Sequence, residues 1–228
     1  MTKSIDAIIV AAGSGQRLRA EVPKAFVSLA GKQMYVHSLL RFAAHSAINR
    51  IIVVVPMAKV EETKTAIKGL AGPKEILVVA GGKHRWQSVQ NGVNASGAEW
   101  VMIHDAARPF VSEVVINAVI ALSDRYNAVI ATTPEVDTIR KFVGDRALET
   151  LDRSSVVRVQ TPQLFLRENL VSALDHAPFL ATTPTDEAML METSGIPVGI
   201  APGDPLNFKI TTQEDLALAE ALCEKRLR

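Results

Sequence analysis

The chain has 228 residues, 48% hydrophobic and 21% charged, which suits one domain with a sizeable buried core. Its 25 Lys and Arg balance 24 Asp and Glu, so bulk charge points to neither nucleic acid nor a membrane surface as a partner. Cys223 is the only cysteine, which excludes an internal disulfide and a cysteine-rich metal site and fits a reducing compartment.

The N-terminal stretch MTKSIDAIIVAAGSG carries Asp6 within a short apolar run and lacks the layout of a signal peptide. No apolar stretch approaches the ~20 residues of a membrane span. A cytoplasmic location is expected. Residues 6–12 then predict a buried parallel strand running into a glycine loop at Gly13 and Gly15. Similar runs follow at 51–55, 75–80, 100–105 and 127–133. Between them lie segments of helical spacing: Tyr35, Leu39, Phe42 and Ala43; Val60, Thr63, Ile67 and Leu70; Val114, Ala118, Ala121 and Leu122. Strands alternating with helices predict an α/β fold, a doubly wound and mostly parallel sheet of Rossmann-like kind. Such sheets bind ligands beyond the carboxyl ends of their strands.

Residues 134–162 break this alternation. They read as a β-hairpin around Gly144 and Asp145, inserted into a single domain of residues 1–228. A two-stranded hairpin is marginal in water by itself, so a second subunit is the natural surface for it. Helices at 166–176, 185–194 and 211–227 and a strand near 197–201 complete the chain, with Thr211 and Glu214 as the expected capping box of the last helix.

Three segments carry candidate chemistry. The small-residue loop after the first strand, AAGSGQRLRAEVPK at 11–24, lets backbone N–H groups approach an anion, and Arg17 and Lys24 add two cations. Neither the P-loop nor the G-x-G-x-x-G spacing is present, and an ordinary glycine turn also fits this loop alone. In HDAARPF at 104–110, Asp105 ends an apolar strand, where a carboxylate suits Mg²⁺ shared with substrate phosphates, or else caps a turn. Arg108 stands within reach of a second phosphate. Lys209, between Phe208 and Ile210, would act strongly on a bound phosphate if its flanks are desolvated. The five histidines show no ligand spacing.

Together with the DT at 137–138, DR at 152–153, TPQ at 161–163, TDEA at 185–188 and NFKIT at 207–211, these motifs resemble the 2-C-methyl-D-erythritol 4-phosphate cytidylyltransferase family over essentially the whole chain. The resemblance implies a homodimer whose β-arms interlock and whose active sites are shared, acting on CTP and a polyol phosphate. It implies that Arg17, Lys24 and Lys209 are catalytic, steadying the CTP phosphates and contacting the α-phosphate. The backbone of Ala11, Ala12 and Gly82 and the region of Ser88 would recognise cytosine, Gly13, Arg85 and Ala106 would also bind substrate, and Asp105 would hold Mg²⁺ or another divalent cation. Arg108, Thr185 and Lys209 would bind the polyol phosphate, joined by Thr138 and Arg153 from the partner's arm. One departure is Lys83, where many relatives carry an acidic residue. Two other readings are ribitol 5-phosphate cytidylyltransferase, which differs at Ala107 and at the DR pair, and a nucleotide-dependent oxidoreductase, which needs a complete G-x-G-x-x-G.

Overall fold

The computed structural model describes residues 3–13, 22–70, 72–177, 180 and 183–226. Arg17, a predicted phosphate ligand, lies outside the described residues. Eleven strands are present among those described: β1 (Ile5–Val10), β2 (Ser28–Leu29), β3 (Lys32–Gln33), β4 (Ile48–Val55), β5 (Glu75–Ala80), β6 (Trp100–Asp105), β7 (Ala128–Pro134), β8 (Arg140–Val143), β9 (Arg146–Thr150), β10 (Val157–Leu166) and β11 (Val198–Pro202). The helices are α1 (Met34–Ala44), α2 (Val60–Ala66), α3 (Arg85–Asn94), α4 (Glu113–Leu122), α5 (Arg167–His176), α6 (Glu187–Thr193) and α7 (Gln213–Arg226).

Seven strands form the central sheet in the order β11-β7-β10-β6-β1-β4-β5, with β10 alone running against its neighbours. The sheet is mostly parallel, as its continuous apolar runs predict. Both faces are buried because successive residues of one strand serve different cores. Ile9 and Val53 pack with Tyr35, Leu39 and Phe42 of α1 and with Val115, Ile116 and Val119 of α4. Ile8 and Val54 face the other way, onto Val89 and Val93 of α3, Leu170 and Leu174 of α5 and Met191 of α6. A third cluster, with Leu29, Met34, Phe110 and Ile210, seats Ala219 and Cys223 of α7.

The chain runs from β1 outward to β4 and β5, then returns to place β6 on the other side of β1. The order of strands therefore reverses between β1 and β6, and their carboxyl ends lie level, Val10 opposite Asp105. A crevice opens at such a reversal because the following loops diverge to opposite faces.

Several boundaries differ from the sequence reading. The helix expected to include Leu70 ends at Ala66, and Gly69 (φ 82°) turns the chain instead. The small hairpin β2–β3 is too short for any periodicity to show; Ala30 and Gly31 make its turn with positive φ. The last helix is capped one residue later than expected. Thr212 Oγ1 accepts the Asp215 N–H, and Asp215 Oδ2 accepts the Thr212 N–H, so Thr212 and Asp215 form the box rather than Thr211 and Glu214. Within 134–162, β7 ends at Pro134, the hairpin β8–β9 covers 140–150, and residues from Val157 onward belong to β10 of the main sheet.

Gly92 shows how tightly α3 meets the sheet. A Cβ there would lie 2.6 Å from Ile8 Cγ2 and 3.0 Å from Val54 Cγ2. Helix propensity favours Ala over Gly by about 1 kcal/mol, but overpacking a core contact costs about 1–3 kcal/mol. Gly92→Ala is expected to lower the urea midpoint at unchanged m-value. A raised midpoint would mean that α3 stands off the sheet.

Candidate active site

A depression of about 480 Å³ lies at the β1/β6 reversal. Its floor is backbone: Ala11, Ala12 and Gly13 follow β1, and Asp105, Ala106 and Ala107 end β6 and continue beyond it. The Ala11 N–H donates to the Val54 carbonyl and the Ala106 N–H to that of Val10, so both segments stay stitched to the sheet after the strands end. Opposite them, Gly81 and Gly82 lead into α3. A Cβ on Gly81 would fall 2.3 Å from Ala12 Cβ, so only glycine lets these two loops approach. Ser88 Oγ accepts the Gly82 N–H and donates to the His84 carbonyl, fixing the glycine turn from within the helix. The Gln87 side chain accepts the His84 N–H and completes the cap of α3.

Charges converge on this floor from three further elements. Lys24, in a short 3₁₀ turn, lines one side. Arg85 opens α3, and Lys209 follows β11, held in place because Phe208 packs on Phe110 and the Ile210 N–H donates to the Ala107 carbonyl. Both cations meet Asp105: Arg85 Nη2 lies 3.1 Å from Oδ1 and Lys209 Nζ 2.7 Å from Oδ2. Burial by itself would raise the Asp105 pKa. The charges of Arg85 and Lys209 outweigh it and hold the carboxyl far below the usual carboxylate range. Arg85 also reaches Glu187 at the start of α6, with Nη1 2.5 Å from Oε1.

The structure thus brings together Ala11, Ala12, Gly13, Lys24, Gly82, Arg85, Ser88, Asp105, Ala106 and Lys209. Other predicted residues stand elsewhere. Arg108 does not line the depression; its guanidinium donates to the carbonyls of Asn207 and Val159. Thr185 is exposed just before the N-cap Asp186, whose carboxylate accepts the Met189 N–H. Thr138 and Arg153 are exposed on either side of the hairpin β8–β9, and Arg153 donates to the Val136 carbonyl. Lys83 lines the rim with its side chain exposed.

Sequence reasoning missed the supports. Glu187 is buried, yet it reads as part of a helix cap; the apolar run AMLM behind it is the signal that it faces inward. His104 and Thr161 cinch the loop that carries Asp105. The His104 Nε2 faces the Arg108 carbonyl at 3.0 Å, and a carbonyl only accepts, so this nitrogen carries the proton. Nδ1 then accepts from Thr161 Oγ1, which itself accepts the Asp105 N–H. Complete burial pushes the His104 pKa down to about 4, so the ring is neutral at pH 7.

A sequence profile of the 2-C-methyl-D-erythritol 4-phosphate cytidylyltransferase family matches residues 5–225. The enzyme of that name from Syntrophus aciditrophicus is 38% identical over 229 residues, covering 99% of this chain and 98% of its own length. A bifunctional enzyme IspD/IspF from Anaeromyxobacter dehalogenans is 40% identical; the match covers 95% of this chain and 56% of that protein. Among solved structures, the 4-diphosphocytidyl-2C-methyl-D-erythritol synthase of Anaerococcus prevotii superposes with a TM-score of 0.86 at 29% identity, covering 98% of this chain and all of that one. The 2-C-methyl-D-erythritol 4-phosphate cytidylyltransferase of Thermus thermophilus gives 0.79 at 29% identity, covering 95% and 98% of the two chains.

The buried histidine generates a pH dependence with a definite sign. An unfolded His takes up its proton near pH 6.5 and His104 in the fold only near 4. The unfolded chain therefore binds more protons between these values. The contribution is fully present above pH 6.5 and is lost as pH falls toward 4, by up to about 3 kcal/mol. Glu187, whose pKa burial raises, works in the opposite sense, so the comparison must be made between variants. The unfolding free energy of wild type should fall more steeply from pH 6.5 to 4.5 than that of His104→Gln. Parallel profiles would mean that His104 takes up its proton in the fold as readily as in the unfolded chain.

Proposed function

The chain belongs to the 2-C-methyl-D-erythritol 4-phosphate cytidylyltransferase family, and from that premise we propose that it transfers a cytidylyl group from CTP to 2-C-methyl-D-erythritol 4-phosphate. The products are 4-diphosphocytidyl-2-C-methyl-D-erythritol and pyrophosphate. The observation that carries this reading is the convergence of Lys24, Arg85 and Lys209 on a depression floored by small-residue backbone. Such a pocket suits a polyanion. Among the described residues that line it, no activated nucleophile stands: the Ser88 hydroxyl is held by Gly82 and His84, and that of Thr211 donates to Asp215.

The chemistry needs none. The substrate phosphate is already a nucleophile at neutral pH. One of its oxygens forms a bond to the α-phosphorus of CTP, and the bond from that phosphorus to the β-phosphate oxygen breaks, with pyrophosphate carrying away the electron pair. The protein's work is to hold two anions in line and neutralise charge as it shifts to the leaving group. Lys24 and Arg17 are assigned to the triphosphate and Lys209 to the α-phosphate. The backbone at Ala11, Ala12, Gly82 and the turn at Ser88 are assigned to cytosine.

A divalent cation fits the donor set. No group of three or more His, Cys, Asp or Glu that could hold a metal occurs among the described residues. Mg²⁺ usually takes one or two carboxylates and fills its remaining positions from phosphate and water. Asp105, at the floor of the depression, would hold it. The ion would screen the triphosphate and help pyrophosphate leave.

The arm supports a homodimer with shared sites. Phe142, Val143 and Leu148 on β8–β9 are 73%, 69% and 48% exposed, an apolar surface that a lone hairpin in water does not sustain. Thr138 and Arg153 lie on this excursion and away from their own chain's pocket, which suits delivery to the pocket of a second copy. No helix among the described residues is long and apolar enough to cross a membrane, and we assign the enzyme to the cytoplasm.

Two measurements test this reading. In a panel pairing each nucleoside triphosphate with methylerythritol phosphate and ribitol phosphate, pyrophosphate release should require CTP and methylerythritol phosphate; turnover with ribitol phosphate alone would reassign the substrate. For the shared site, Arg153→Ala and Lys209→Ala chains are unfolded and refolded together. A mixed dimer then has one doubly damaged site and one intact site, so about a quarter of wild-type activity should return on random two-fold pairing. No recovery in confirmed heterodimers would place each site within one chain.

A further inference from the structure

Asp105 is capped on both oxygens, by Arg85 on Oδ1 and by Lys209 on Oδ2, so any cation that binds it must compete with these two. The two caps are held differently. Arg85 is shared: its shorter contact, 2.5 Å, is to Glu187, whose side chain is only 1% accessible, and its longer one, 3.1 Å, is to Asp105, at 12%. The four groups together carry two positive and two negative charges. Glu187 Oε2 has no hydrogen-bond partner, so this carboxylate is committed to Arg85 through Oε1 alone. A buried carboxylate with so little other support needs its cation, so it competes with Asp105 for Arg85.

Resting on the assignment of Asp105 to a divalent cation, the geometry points to Glu187 as a positioning residue that shares Arg85 and thereby loosens its cap on Asp105 for the metal that accompanies CTP. It touches neither substrate nor metal. It acts through Arg85, setting how firmly that guanidinium closes over Oδ1. Removing its charge has two consequences of opposite sign. Arg85 becomes an unshared cation on Asp105, so the carboxylate is harder to reach for a divalent ion. The array also gains one net positive charge, so it attracts a metal-free triphosphate more strongly. A side chain that merely shaped the pocket would weaken CTP binding in both conditions when lost.

The test is calorimetric titration of the full-length protein with CTP, once in excess chelator and once in excess Mn²⁺. The affinity gained on adding Mn²⁺ is compared among wild type, Glu187→Gln, Arg85→Gln/Glu187→Gln and Asp105→Asn. In Glu187→Gln the metal-free affinity should rise roughly threefold, the scale of one added charge at a partly solvated site. The gain from Mn²⁺ should shrink about tenfold, as is common when a residue supporting a metal ligand is lost. The double variant, with no guanidinium left to cap Oδ1, should recover most of the gain. If Glu187→Gln weakens CTP in both conditions, or leaves the gain at the wild-type value, the proposal is overturned. If Asp105→Asn shows the same gain as wild type, the metal assignment itself fails and takes the proposal with it. Should Glu187→Gln not fold, Arg85→Gln alone decides: its Mn²⁺ gain must exceed that of wild type, and an equal or smaller gain overturns the proposal.

Discussion

A carboxylate at the buried end of a strand is the constraint around which this site is arranged. Asp105 ends β6 in the middle of the sheet, where an unpaired charge costs several kcal/mol. The chain meets that cost with cations from two distant segments, Arg85 at the start of α3 and Lys209 beyond β11. Arg85, half-buried in turn, leans on Glu187 of α6. Four elements far apart in sequence must therefore arrive together, and the sheet's order brings their ends to one edge. The same four charges give the depression its character. Two cations are already ordered before any anion arrives, which is the condition under which electrostatic stabilisation costs no reorganisation.

The backbone around these charges is equally fixed. Gly81 allows the β5–α3 turn to press on Ala12, and Ser88 ties that turn to its own helix. Below, His104 links Thr161 of β10 to the Arg108 carbonyl, while Thr161 takes the Asp105 N–H. A neutral imidazole is well suited here, because it donates at one nitrogen and accepts at the other and so joins a carbonyl to a hydroxyl without adding charge beside Asp105. Arg108 is also drawn into the scaffold, bridging the carbonyls of Asn207 and Val159 and so joining β10 to the segment that carries Lys209. Rigid side chains thus stand behind the mobile chemistry that the pocket would host.

The arm follows different rules. Among the described residues its two strands pair with each other alone, and its apolar side chains Phe142, Val143 and Leu148 are exposed. The pocket is a product of one chain's packing, whereas the arm is an unfinished surface. The charged depression is thus built by one chain's own packing, and the polar residues Thr138 and Arg153 of the arm are not among those that line it.

Much of this was legible in the sequence. Continuous apolar runs such as IIVVV and WVMIHD can be buried only on both faces, which dictates a parallel sheet between helix layers. Part of the depression announced itself because it lies at the ends of such runs: Ala11–Gly13 at β1, Gly82 after β5, Asp105 and Ala106 at the end of β6. Local pattern could not give the partners. That Glu187 pairs with Arg85 across 102 positions, that His104 meets Thr161 across 57, and that Arg108 turns away from the depression are matters of which loops the strand order brings side by side. Even the cap of α7, one residue from its expected place, was settled by which hydroxyl accepted the Asp215 N–H, that of Thr212, in a segment anchored by buried Ile210. Apolar periodicity is a property of a segment and survives any rearrangement of its surroundings. Ion pairs and hydrogen bonds between distant segments exist only after the sheet has fixed its order, so only the tertiary structure could decide them.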